Sequence, residues 1–246
     1  MGRDVALSLA RAGSDVGVIA RTGADLEDTA QAVRALGRRA VATVGDVGDP
    51  DDIRRFGSEV RAEFGTVDLI VSNAGNLLYK PLVPLPGMRA IDPSFHTPIS
   101  EEEWHSVFRT HVDGAFHVLR EFVPGMLDAG RGRVVIIASN VVERLIPFCS
   151  AYDAAKGALV QMARSYAMEW ARHGVTVNAI APGHFPSAMS HEQLTDPALR
   201  DWVLKRIPMR RTGSSDELAA LVTFLASDAA GYLTGQVITL DGGESL

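Results

Sequence analysis

Tyr152 and Lys156 stand four residues apart in a stretch with helical patterning, so their side chains share one face. A nearby ammonium favours phenolate, so the spacing predicts a tyrosine with a lowered pKa. Such a pair suits proton transfer to or from an oxygen that alternates between hydroxyl and carbonyl. By itself a Tyr-x-x-x-Lys pair describes many solvated helix faces. Ser139 adds a second group: it follows the run Arg133-Val-Val-Ile-Ile-Ala138, which reads as a strand. Its hydroxyl is expected at the carboxyl edge of a sheet, within reach of a substrate oxygen, although a serine after a strand is also a common turn residue.

Those three residues need elements to position them, and the chain supplies a regular alternation. Short Val/Ile-rich runs at 15–20, 40–44, 67–71, 133–138, 175–180 and 236–240 read as buried strands. Helical patterns lie between and around them, near 3–12, 22–36, 50–64, 100–129, 150–173 and 214–227. This order predicts one α/β domain over residues 1–246, with a doubly wound parallel sheet and helices on both faces. Two stretches interrupt it: 76–99, rich in proline, and 181–207, irregular or partly helical. Both are expected to leave the carboxyl ends of strands, where ligands of such sheets bind.

Composition narrows the function classes. The chain has 246 residues, 46% hydrophobic and 22% charged, with 24 basic against 30 acidic residues and a net charge of −6. No basic run is present, which argues against nucleic acid or an anionic membrane as partner. No apolar run reaches the length of a membrane span. Cys149 is the sole cysteine, so an internal disulfide and a four-cysteine zinc site are both excluded. The histidines show no metal-ligand spacing. A reducing compartment, the cytoplasm, is the expected location. Cys149 itself reads as a packed thiol, and Glu101-Glu102-Glu103 as an acidic first helical turn.

Taken with further motifs, the triad becomes specific. Asn73-Ala74-Gly75 follows a strand, Val177-Asn178-Ala179-Ile180-Ala181-Pro182-Gly183 spans another, and Thr234-Gly235-Gln236-Val237-Ile238 leads to Asp241-Gly242-Gly243. In this order and spacing, with Ser139, Tyr152 and Lys156, the chain resembles the short-chain dehydrogenase/reductase family over nearly its whole length. The resemblance implies a Rossmann-like fold and a nicotinamide cofactor. It implies that Tyr152 exchanges the proton, that Lys156 tunes it and holds the nicotinamide ribose, and that Ser139 polarises the substrate oxygen. Asn73, Ala74 and Gly75 would lie along the adenosine side, with Asp46 near the adenine. Pro182 and Gly183 would flank the nicotinamide, with Ser187 where relatives often carry a threonine. His111 stands where relatives carry an asparagine; its imidazole is expected either to join a proton relay or simply to pack.

Cofactor choice turns on Ala20-Arg21-Thr22. An acidic residue at this strand end would accept a ribose 2′-hydroxyl; Ala20 stands there, and Arg21 with Thr22 suits a 2′-phosphate. NADP(H) is therefore expected over NAD(H). Of the family's glycine-rich turn only Gly2 finds a match, and the first strand and earlier glycines are expected to be missing from the sheet. That loss would leave two ladder edges unpaired. Ile207-Pro208-Met209-Arg210-Arg211-Thr212-Gly213 is similar to relatives that act on 3-oxoacyl thioesters or sugar acids such as gluconate. The expected partner is thus a small carbonyl or alcohol substrate, and the resemblance implies a homotetramer or homodimer built on the helices near 100–129 and 150–173. Two rival readings remain: a binding or assembly protein that has lost its cofactor, and a lyase-like relative. Lys156 opposes the second, since halohydrin dehalogenases carry arginine there.

Overall fold

Every residue of Val175–Pro182 is buried, which marks a strand covered on both faces. It is β5 in a computed structural model that describes residues 1–84, 97–187, 189, 190 and 194–246. Before it come β1 (Val16–Ala20), β2 (Ala40–Val44), β3 (Leu69–Ser72) and β4 (Gly132–Ile137), and after it β6 (Val237–Leu240). All pairings are parallel. Strands β3, β4, β5 and β6 form one sheet in that order, and β1 pairs with β2 in a second. The expected interruption in the ladder falls between β1 and β3.

Helices hold the two sheets together. Alternate residues of β4 face opposite sides: Val134 and Ile136 join one apolar cluster, Val135 and Ile137 another. On the second side α1 (Gly2–Arg11) sends Val5 and Leu9 onto Val135 and Ile137, and Ala6, Leu7 and Ala10 onto Val16 of β1. On the first side α3 (Pro50–Phe64) places Phe56 and Val60 against Ile19, Val41 and Ile70. Gly17 lets α3 approach this closely, because a Cβ there would stand 2.9 Å from Val60. Each bridging helix thus buries apolar surface from both sheets, at roughly 25 cal/mol per Å² removed from water.

Local chemistry fixes where the helices start. Asp49 accepts from the Asp51 N–H at 2.8 Å ahead of Pro50, and Ser100 with Glu103 forms a capping box on α4 (Glu101–Phe108). Between α4 and α5 (Gly114–Ala129) the helix widens into a π turn, Arg109–Asp113, so the expected helix at 100–129 is continuous but not regular. Next come α2 (Gly23–Ala35), α6 (Ser150–Trp170), α7 (Pro197–Arg206) and α8 (Ser215–Ala226). Helix α7 is the helical part of the 181–207 excursion. Of the proline-rich stretch, residues 85–96 lie outside the described residues, as do Ala188 and 191–193. Among the described residues no helix is long and apolar enough to cross a membrane.

Candidate active site

The carboxyl ends of β3, β4, β5 and β6 all empty onto one edge, and the triad assembles there. Ser139 follows β4 by two residues and caps the short 3₁₀ turn Asn140–Val142, its Oγ accepting from the Val141 N–H at 3.4 Å. Tyr152 and Lys156 occupy the first two turns of α6 and are 9% and 4% exposed. Lys156 Nζ donates to the Ile137 carbonyl at 2.7 Å and stands 5.5 Å from the centre of the Tyr152 ring. The Ser139 hydroxyl is close enough to the Tyr152 phenol to lower its pKa. The three sequence-predicted side chains therefore converge on one place.

Their protonation differs from the expectation drawn from spacing. Burial pushes the Tyr152 phenol up to about 12, opposed by Ser139. Burial also pulls the Lys156 ammonium down to about 7. The predicted lowering of the tyrosine is thus not found: desolvation penalises the charged form of each group. In this chain the resting pair is a neutral phenol beside a lysine that loses its proton near neutrality.

His111 lies on the π turn, 1% exposed, with its ring edge-on to Tyr152 at 5.5 Å between centroids. Its Nε2 sits 2.8 Å from the Asn76 carbonyl oxygen and 3.1 Å from the Asn76 N–H, so either tautomer finds a main-chain partner. Nδ1 is buried without a partner among the described residues, as is Asn76 Oδ1. Burial, with Lys156 nearby, lowers the imidazole to about 4. Of the two expected roles for His111, packing is the one that a ring neutral at physiological pH fits.

Gly75 makes this packing feasible. A Cβ there would lie 2.5 Å from His111 Cε1. Gly75→Ala is expected to destabilise the chain by about 1–3 kcal/mol in denaturant unfolding. Adding His111→Asn should restore part of that loss; additive effects would show that the two positions do not collide.

The predicted cofactor residues occupy the same edge or its continuation. Gly2, at the start of α1, abuts Asn73, whose Nδ2 would be 2.9 Å from a Cβ at position 2. Ala74 and Gly75 are exposed just beyond β3. Arg21 and Thr22 are exposed just past β1, with Thr22 as the N-cap of α2. Asp46, just past β2, accepts from the Gly48 N–H at 2.9 Å. Pro182 is buried at the end of β5, and the Gly183 N–H donates to Leu240 at 3.0 Å. A Cβ on Gly183 would lie 2.6 Å from Asp241. Ser187 is drawn into a turn with Ser190, hydroxyl to hydroxyl at 3.1 Å. Glycines flush with their surroundings, bare backbone past the strands and buried polar atoms lacking protein partners fit a dinucleotide along this edge.

Other groups resolve more simply. Cys149 is 1% exposed, and burial pushes its thiol up to about 12, which suits a packed residue. Contacts made through the main chain, such as Ile137 with Lys156 and Asn76 with His111, carry no side-chain signature in the sequence. They went unpredicted for that reason.

A family model for enoyl-(acyl carrier protein) reductases matches residues 1–245 of this chain. The chain belongs to the short-chain dehydrogenase/reductase family. It is an oxidoreductase of that type. A gluconate 5-dehydrogenase of Gluconobacter oxydans is 31% identical, over 99% of this chain and 90% of that protein. A 3-oxoacyl-[acyl-carrier-protein] reductase of Staphylococcus epidermidis is 33% identical, over 99% and 93%. Among solved short-chain dehydrogenase/reductase structures, a gluconate 5-dehydrogenase from Burkholderia cenocepacia in complex with NADP and tartrate superposes with a TM-score of 0.86. It is 31% identical and covers 99% of this chain and 90% of that one. An NAD⁺-bound xylitol dehydrogenase superposes at 0.87 with 28% identity, over 98% and 94%.

Proposed function

We propose that this short-chain dehydrogenase/reductase interconverts a carbonyl and a secondary alcohol with NADP(H), on a sugar acid or a 3-oxoacyl thioester. The convergence of Ser139, Tyr152 and Lys156 at one sheet edge carries the reading. A bound nicotinamide supplies or accepts the hydride. Ser139 orients the substrate oxygen, and Tyr152, as a neutral phenol, donates its proton to that oxygen during reduction. Lys156 stands behind the phenol with Nζ anchored on Ile137, where it holds ribose hydroxyls and assists the proton's return. Pro182 and Gly183 flank the nicotinamide, with Ser187 nearby; Gly2, Asn73, Ala74, Gly75 and Asp46 line the rest of the cofactor. Arg21 and Thr22 select the 2′-phosphate.

Titration with NADPH and then NADH, followed by nicotinamide fluorescence, tests the reading. NADPH is expected to bind at least tenfold tighter than NADH, and Arg21→Ala to remove most of that preference. Equal affinities would overturn the assignment to NADP(H). A carbonyl screen beginning with 5-ketogluconate and an acetoacetyl thioester then separates the two substrate classes.

His111 enters this reading as a neutral packing residue that fixes the Asn76 main chain. His111→Asn should leave kcat/KM within tenfold of the parent; a thousandfold loss would make the imidazole essential. For assembly, α4, α5 and α6 are the proposed pairing surface of a dimer or tetramer, with Phe116 and Met168 exposed on α5 and α6. A monomer by light scattering would remove that part. The lone cysteine suits a reducing compartment such as the cytoplasm.

One rival reading is a binding or assembly protein without cofactor. A folded chain that binds neither dinucleotide would support it.

A further inference from the structure

The residues after β6 fold back across the sheet edge that carries Ser139. Glu244 lies among them, 8% exposed, in a place where a lone carboxylate would be costly. Three side chains from elsewhere in the chain satisfy it. Arg144 Nη1 donates to Oε1 at 2.5 Å, while Oε2 takes Asn140 Nδ2 at 3.2 Å and meets His184 Nδ1 at 2.9 Å. These donors hold the carboxyl below its usual range, against the opposing effect of burial. Asp241 adds a parallel tie, accepting from Asn140 Nδ2 at 3.4 Å and from Ser245 Oγ at 2.6 Å. A third runs from Thr239 Oγ1 to Glu143 at 2.9 Å.

The donors' positions give the cluster its meaning. Asn140 is the residue after Ser139, in the turn that the serine caps. Arg144 lies on the segment that joins Ser139 to Tyr152. His184 follows Gly183, on the loop leaving β5. One buried carboxylate therefore ties the segment bearing the serine, the β5 loop and the chain beyond β6 into one wall. The tied segments are also anchored by apolar neighbours, Val141 beside Asn140 and Phe185 beside His184, so the carboxylate adds a polar tie to loops that already touch the core.

We propose that Glu244 is a positioning residue for the substrate side of the active site, acting through Asn140 on Ser139 and through Arg144 and His184 on the flanking loops. It rests on the reading of Ser139, Tyr152 and Lys156 as the reacting set. Glu244→Gln keeps the size of the side chain and removes the charge that gathers the donors.

Two measurements on the whole chain test it. The first is hydrogen exchange of peptides covering 139–149 and 183–187, against peptides of β1 and β2. The second is steady-state reduction of 5-ketogluconate by NADPH, alongside NADPH affinity and Tm. In Glu244→Gln the two loops should exchange at least tenfold faster, with β1 and β2 unchanged. The kcat should fall at least tenfold, with KM, NADPH affinity and Tm close to the parent values. Unchanged loop exchange would overturn the proposal. So would a parallel fall of activity, NADPH affinity and Tm, which would make Glu244 a general structural residue. Should the parent chain bind NADPH yet reduce neither 5-ketogluconate nor an acetoacetyl thioester, the substrate reading fails by itself. Loop exchange then decides the role of Glu244: faster loops uphold it and unchanged loops end it.

Discussion

Tyr152→Phe should lower kcat by about 10³-fold while NADPH affinity stays within threefold. The substitution deletes one oxygen and keeps the ring that packs on Val141 and Cys149 and meets the His111 edge. Stability is therefore expected to change little. What disappears is the hydroxyl that faces Ser139, and positioned acid–base groups contribute roughly 10²–10⁴-fold. Because burial holds this phenol near 12, it stays a proton donor throughout the physiological range, and the reductive direction needs no prior ionisation. Pre-steady-state hydride transfer from NADPH, in parallel with a fluorescence titration, separates lost chemistry from lost binding. Activity above a tenth of the parent would mean that Tyr152 is not the acid.

The sequence and the structure agree most closely where a local pattern decides the outcome. Residues 40–44 read as a Val-rich strand and 50–64 as a helix, and both are found with those bounds. Ser139, Tyr152 and Lys156 were legible because strand end and helix start each fix where a side chain points. Three features were not. The π turn under His111 leaves the apolar spacing of 100–129 intact, so periodicity does not register it. The Glu244 cluster joins residues some hundred positions apart, which no window spans. The direction of the Tyr152 shift depended on burial: spacing places a charge nearby, whereas only the packed fold says how much water both groups have lost.

Lys156→Met carries the second large effect, and it separates function from stability. Catalysis should fall at least 10²-fold, since the Lys156 Nζ stands 5.5 Å from the centre of the Tyr152 ring. Stability is expected to move the other way near and below neutrality. The lysine is held near 7 when folded against an ordinary value of 10.5, so below pH 7 the native state carries a buried charge. Between pH 7 and 10.5 the unfolded chain binds a proton that the native chain has released. Stability of the parent should therefore rise with pH across that window, by up to about 1.4 kcal/mol per unit from this group. Methionine fills similar space without charge and removes that slope. It also leaves the Ile137 carbonyl without its donor, at a cost of about 1–3 kcal/mol, but that cost is the same at every pH. Denaturant unfolding of both proteins at pH 6, 7, 8 and 9 reads the difference directly. A gap favouring methionine that is widest at pH 6 and narrows towards pH 9 supports a buried, discharging lysine. Parallel curves would mean that Lys156 keeps its proton in the folded chain, and its part in the proton's return would then need a different account.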